Sequence, residues 1–135
     1  MKTVSAEERA KKVDAIKTRM AASRGALSDT WSQACEAAPE FMECYENLYQ
    51  TCLMDGEHLP AKYRELAALG IICFRMEQPS ITAHVLRCLR LGLKKGEILD
   101  AIETTIIPGG APTFSCGLVN ALKAFKIYDE EVANK

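Results

Sequence analysis

The chain has 135 residues, 48% of them apolar, and its 17 basic and 18 acidic side chains leave a net charge of -1. That length fits one domain able to bury roughly two thirds of its unfolded surface, so a core needs neither metal nor disulfide to hold it. Charges of both signs are intermixed, which argues against nucleic-acid and anionic-membrane partners because no extended field is present to attract them.

No apolar run approaches the ~20 residues a bilayer span requires. The opening Met1-Lys2-Thr3-Val4-Ser5-Ala6-Glu7-Glu8 lacks the apolar core of a signal peptide, so the expectation is a cytoplasmic protein. Apolar residues recur at three- and four-residue steps with no long two-residue alternation, which predicts an all-α fold of about six helices.

Ser5-Ala6-Glu7-Glu8 has the form of a capping box, opening a helix that carries Val13, Ile16 and Met20 and stops near Ser23-Arg24-Gly25. A short segment from 28 to 38 follows. Pro39 suits the first turn of a helix over 39–54, whose apolar stripe is expected at Phe41, Tyr45, Leu48, Tyr49 and Cys52. Asp55 to Pro60 is a turn. The next helix, 60–75, is apolar on most sides, as a central or interface element would be. After Glu77-Gln78-Pro79-Ser80 another runs to Leu91, with Gly92 as its stop. A helix from Lys94 to Ile106 ends at Pro108-Gly109-Gly110-Ala111-Pro112, and a last helix over 113–128 leaves an acidic tail expected to fray. Residues 1–55 are more polar than the helical unit over 56–128 and are read as its cover within one domain.

Six cysteines, at 35, 44, 52, 73, 88 and 116, form no Cys-x-x-Cys pair and no zinc-like Cys/His spacing, so neither metal nor cofactor is expected. Most lie among apolar neighbours, where cysteine behaves as a small buried hydrophobe.

The chemistry-bearing candidates are Glu65 and His84, nineteen residues apart. At 100° per residue Ser80, His84 and Cys88 share one stripe of a helix, with Glu77 at its start. Each has a bland alternative: Ser80 as a helix cap, His84 as a satisfied core histidine, Glu65 as the ion-pair partner of Arg64 or Lys62, and Cys88 as an inert thiol. In functional roles, His84 is a general acid/base and Glu65 orients its ring or relays its proton. Cys88, one turn beyond, would be a thiolate held by the imidazolium. From a common turn near Gln78, Glu65 stands ~18–20 Å along one helix and His84 only ~9 Å along the next. Pairing then needs steep crossing or a second subunit. His58 reads as a solvated loop residue; Arg75, Arg87 and Arg90 could bind a substrate carboxylate, but charged residues on surface helices are usually solvated, and no role is assigned to them.

Residues 59–122 resemble the carboxymuconolactone decarboxylase / alkylhydroperoxidase D-like family. The likeness rests on Leu59-Pro60-x-x-x-Arg64-Glu65-Leu66, His84, Gly92-Leu93-x-x-x-Glu97-Ile98-Leu99-Asp100-Ala101 and Gly110-x-Pro112, in that order. The resemblance implies an all-helical unit and a homo-oligomer, trimeric or hexameric. In the peroxidase branch a Cys-x-x-Cys precedes the histidine; here those positions are Glu77 and Ser80, so disulfide closure by that route is excluded. Pro108 also stands where the family often has tyrosine. The decarboxylase branch lacks the cysteines and keeps the histidine. The resemblance thus implies an acid/base enzyme, a lyase or decarboxylase, acting on a small carboxylated or acyl substrate through His84 and Glu65. The alternatives are a thiol-dependent peroxidase using Cys88 and a non-catalytic oligomeric binding protein.

Overall fold

The computed structural model of the chain describes residues 5–134. Among them are seven helices and no strand, so the fold is all-α. The backbone divides into two compact units at Gly56 and Glu57.

The first unit packs α1 (Ala6–Arg24), α2 (Asp29–Ala37) and α3 (Pro39–Leu53) around Val13, Ile16, Met20, Cys35 and Met42. The capping box forms as the sequence predicts. Ser5 Oγ accepts the Glu8 N–H at 3.1 Å and Glu8 accepts the Ser5 N–H at 2.9 Å, which pulls the Glu8 carboxyl below its usual range. Gly25 ends α1 at φ 78°, a left-handed cap that glycine adopts without a Cβ clash. On α3 the predicted apolar stripe is displaced. Phe41, Leu48 and Cys52 are exposed, and the inward face is Pro39, Met42, Glu46 and Tyr49. A carboxylate can hold that inward position because Arg24, Ser23 Oγ (3.0 Å) and Gln50 Nε2 (2.7 Å) all donate to it.

The second unit holds α4 (Ala61–Phe74), α5 (Gln78–Arg90), α6 (Lys95–Thr104) and α7 (Ile106–Ala133). Leu69, Ile81, Val85, Ile98 and Ile102 are buried at its centre. Each contributes about 1.5–3 kcal/mol of transfer free energy. The Pro/Gly segment breaks the helix as the sequence predicts, but not with a loop over 108–112. Instead α7 is interrupted at a single residue, Gly110, with φ 78° and ψ 175°, and Pro112 falls in the first turn beyond, where its missing N–H is harmless. The acidic tail expected to fray is helical to Ala133. Asp129 pairs with Lys95 at 2.7 Å and Glu131 with Arg90 at 3.0 Å. Among the described residues no helix is long and apolar enough to cross a membrane.

Candidate active site

On α4 the inward residues are Ala61, Glu65, Leu69 and Cys73, one every fourth position, so Glu65 sits in the middle of an apolar stripe with none of its side chain exposed. A bare carboxylate there would cost several kcal/mol. Two donors from one face of α5 meet it. His84 Nδ1 donates to Glu65 Oε1, and Arg87 Nε donates to Oε2 at 2.8 Å. The three-residue step from His84 to Arg87 places both side chains over the same patch of α4.

The two helices level because they do not pivot at Gln78. α4 ends at Phe74, Arg75 to Glu77 reverse the chain with Met76 at φ 54°, and only then does α5 begin. Counted from these ends, Glu65 lies ~13.5 Å back along α4 and His84 ~9 Å along α5. Long side chains close the remaining ~4.5 Å, so the pair forms within one chain without a second subunit.

The stripe on α5 descends from solvent into the core: Glu77 is exposed, Ser80 and His84 half-buried, and Cys88 fully buried. Only His84 reaches Glu65. Glu77, not Ser80, is the N-cap; its carboxylate accepts the Ser80 N–H at 3.0 Å, and hydrogen bonds from the Ser80 side chain and backbone hold its carboxyl below the usual range. Neither residue bonds to Glu65 or His84. Burial, with the negative charge of Glu65 adding to it, pushes the Cys88 thiol up to about 12. That opposes the thiolate role, because at neutral pH the nucleophilic form is essentially absent.

His84 keeps 21% of its side chain open, and its Nε2 has no hydrogen-bond partner among the described residues. Since Glu65 only accepts when ionised, the imidazole carries its proton on Nδ1 and presents Nε2 as the acceptor nitrogen. Arg87 is not the solvated surface cation that its sequence suggests: 6% of its side chain is exposed. Its three-residue step from His84 was the available signal. Arg90 and the 87%-exposed His58 lie at the surface, the former on Glu131. Among the described residues no group of three His, Cys, Asp or Glu is placed to hold a metal.

A cavity of about 510 Å³ opens between α4, α6 and α7, lined chiefly by Leu66, Gly70, Ile71, Phe74, Pro108 and Thr113. Neither Glu65 nor His84 lines it. The acid/base pair and this cavity therefore lie on different faces of α4.

The model of the carboxymuconolactone decarboxylase family matches residues 39–125, starting in α3 and so beyond the motifs read from the sequence. A crystal structure from Burkholderia xenovorans LB400, of a protein provisionally designated a carboxymuconolactone decarboxylase, superposes with a TM-score of 0.78 at 25% identity, covering 93% of this chain and 97% of that one. No curated protein matches the sequence. A family match over most of the chain, in an all-helical fold shared with that structure, means that this protein belongs to the carboxymuconolactone decarboxylase family.

Proposed function

We propose that this protein is an acid/base enzyme of the lyase or decarboxylase kind, which moves a proton next to the carbonyl of a small carboxylated or acyl substrate through His84 Nε2. The observation that carries this is the buried carboxylate on Nδ1 with the opposite nitrogen left open. An imidazole so held can take a proton at Nε2 and return it, stabilised as it charges by the carboxylate behind it. Glu65 is the orienting group, and the substrate meets only His84. Loss of a positioned acid/base group costs typically 10²–10⁴-fold, so His84→Ala should lower turnover of a small lactone acid by at least about 10²-fold. Full turnover in that variant would refute the proposal.

A second reading, a non-catalytic binding protein, is favoured by one observation: the cavity of about 510 Å³ between α4, α6 and α7 excludes His84. Saturable binding of an apolar ligand that His84→Ala leaves unchanged, in a protein with no turnover on lactone or acyl acids, would select it. The thiol-peroxidase alternative has the buried Cys88 against it. As to partners, Ile71 and Phe74 at the cavity and Ile106 and Ile107 beside Pro108 are exposed apolar side chains, which favours a homo-oligomer, trimeric or hexameric. Sedimentation velocity giving a monomer at micromolar concentration would exclude it. The unpaired cysteines agree with a reducing cytoplasm.

A further inference from the structure

We infer that Arg87 is a positioning residue for His84, acting through Glu65: it makes the carboxylate an orienting group and prevents it from serving as a proton relay. This rests on the acid/base role of His84. The proton a relay would hand on is the Nδ1–H, passing to Oε1. Arg87 Nε donates to Oε2 at 2.8 Å, so that transfer would leave a buried guanidinium beside a neutral acid, without its counter-charge. A guanidinium never surrenders its proton in a protein, so the bond on Oε2 has a fixed direction. The carboxylate is thereby held with its plane bridging the two α5 side chains, and the imidazole can satisfy it only with Nδ1 protonated. Arg87 is itself almost wholly buried, so little bulk water competes for either oxygen.

Proton traffic is then confined to one atom. Whatever proton His84 takes at Nε2 it must return at Nε2, to product or to water, because the far side of the ring is held by a carboxylate that the buried Arg87 cation keeps as its counter-charge. Such a site favours a proton removed and returned by the same group over one passed into the core.

The imidazole nitrogens reveal this directly, without any substrate. Long-range ¹⁵N–¹H correlation on the full-length protein, above the pH at which histidine titrates, distinguishes Nδ1–H from Nε2–H, and the exposed His58 serves as an internal reference. Wild-type His84 should show the Nδ1–H pattern. Arg87→Met should move it toward the mixed pattern of His58, while Arg87→Lys, which retains a cation and a donor, should hold it near wild type. A folded Arg87→Met protein with an unmoved His84 pattern would overturn the assignment. Should that variant not fold, Arg87→Gln makes the same distinction with a neutral donor: a shifted pattern supports positioning and an unmoved one overturns it. A shifted pattern in a protein whose His84→Ala variant keeps full turnover would sustain the role of Arg87 while removing the acid/base reading, so the two failures are separable.

Discussion

Glu65→Gln replaces one oxygen by an amide of nearly the same shape, so no cavity is created and the effect is electrostatic. Arg87 Nε, 2.8 Å away, still requires an acceptor and takes the single carbonyl oxygen. The amide NH₂ then faces His84, which can meet it only with an unprotonated Nδ1. The ring must adopt the opposite tautomer, with Nε2 protonated and unable to accept a proton from substrate. Two charge-assisted bonds worth ~1.5–3 kcal/mol each become neutral or half-neutral bonds worth ~0.5–1.5, so stability should fall by about 2–3 kcal/mol. The wrong tautomer in a comparable carboxylate–imidazole arrangement lowers the rate by roughly 10⁴, and a similar loss is expected here. Urea denaturation followed by far-UV circular dichroism measures the first, and imidazole ¹⁵N shifts measure the tautomer. A variant within 0.5 kcal/mol of wild type, roughly the scatter of a neutral surface change, that retained the Nδ1–H signature would refute the assignment of Glu65 as the group that holds the ring.

Glu46→Ala in the first unit should cost about 3–4 kcal/mol, because it strands the largely buried Arg24 guanidinium, which keeps the Ser23 hydroxyl and its stacking 3.7 Å over Tyr49 but loses its counter-charge. Trp31, the single tryptophan, stacks on Tyr45 at 5.2 Å and monitors unfolding of this unit by fluorescence; the double variant Arg24→Met/Glu46→Leu should recover most of the loss. Burial raises the Glu46 carboxyl, but the bonds from Arg24, Gln50 and Ser23 outweigh it and bring it below its ordinary 4.5, so its stabilisation is full above that pH and is lost as the pH falls further. Thermal melts should show an acid-side decline that Glu46→Gln lacks. Iodoacetamide on the native protein should modify the exposed Cys44 and Cys52 and leave Cys88 untouched at any pH well short of about 12, as peptide mass mapping would reveal. Gly117→Ala gains helix propensity but sets its Cβ 2.9 Å from Ile102 Cγ2 and 3.0 Å from Cys73 Sγ, so it should destabilise by about 1 kcal/mol in chemical denaturation.

The elements legible in the sequence were those marked by local chemistry. Ser5 with Glu8, Pro39, Gly92 and the Gly110 break act within a turn of the chain, so each could be placed by inspection. What escaped depended on partners far away in sequence. The stripe of α3 went wrong because Glu46 counts as polar until Arg24, twenty-two residues earlier, neutralises it. Arg87 was passed over for the same reason, its acceptor lying twenty-two residues back on another helix. The Glu65 to His84 pairing was suspected and the helix break near residue 75 was read, but levelling the two side chains depended on where the chain reverses, at Arg75 to Glu77 with Met76 at φ 54° and not at Gln78, which helical periodicity does not encode.

By the resemblance of the sequence, Glu77 and Ser80 fall at the thiol positions of the peroxidase branch; here they begin a helix. Installing cysteines at both positions would remove a side-chain cap worth about 1 kcal/mol, yet set the new sulfurs at a helix end that favours thiolates, one to two turns before His84. Redox chemistry and a well-started helix are thus rival uses of the same two positions, one turn or two ahead of the same imidazole.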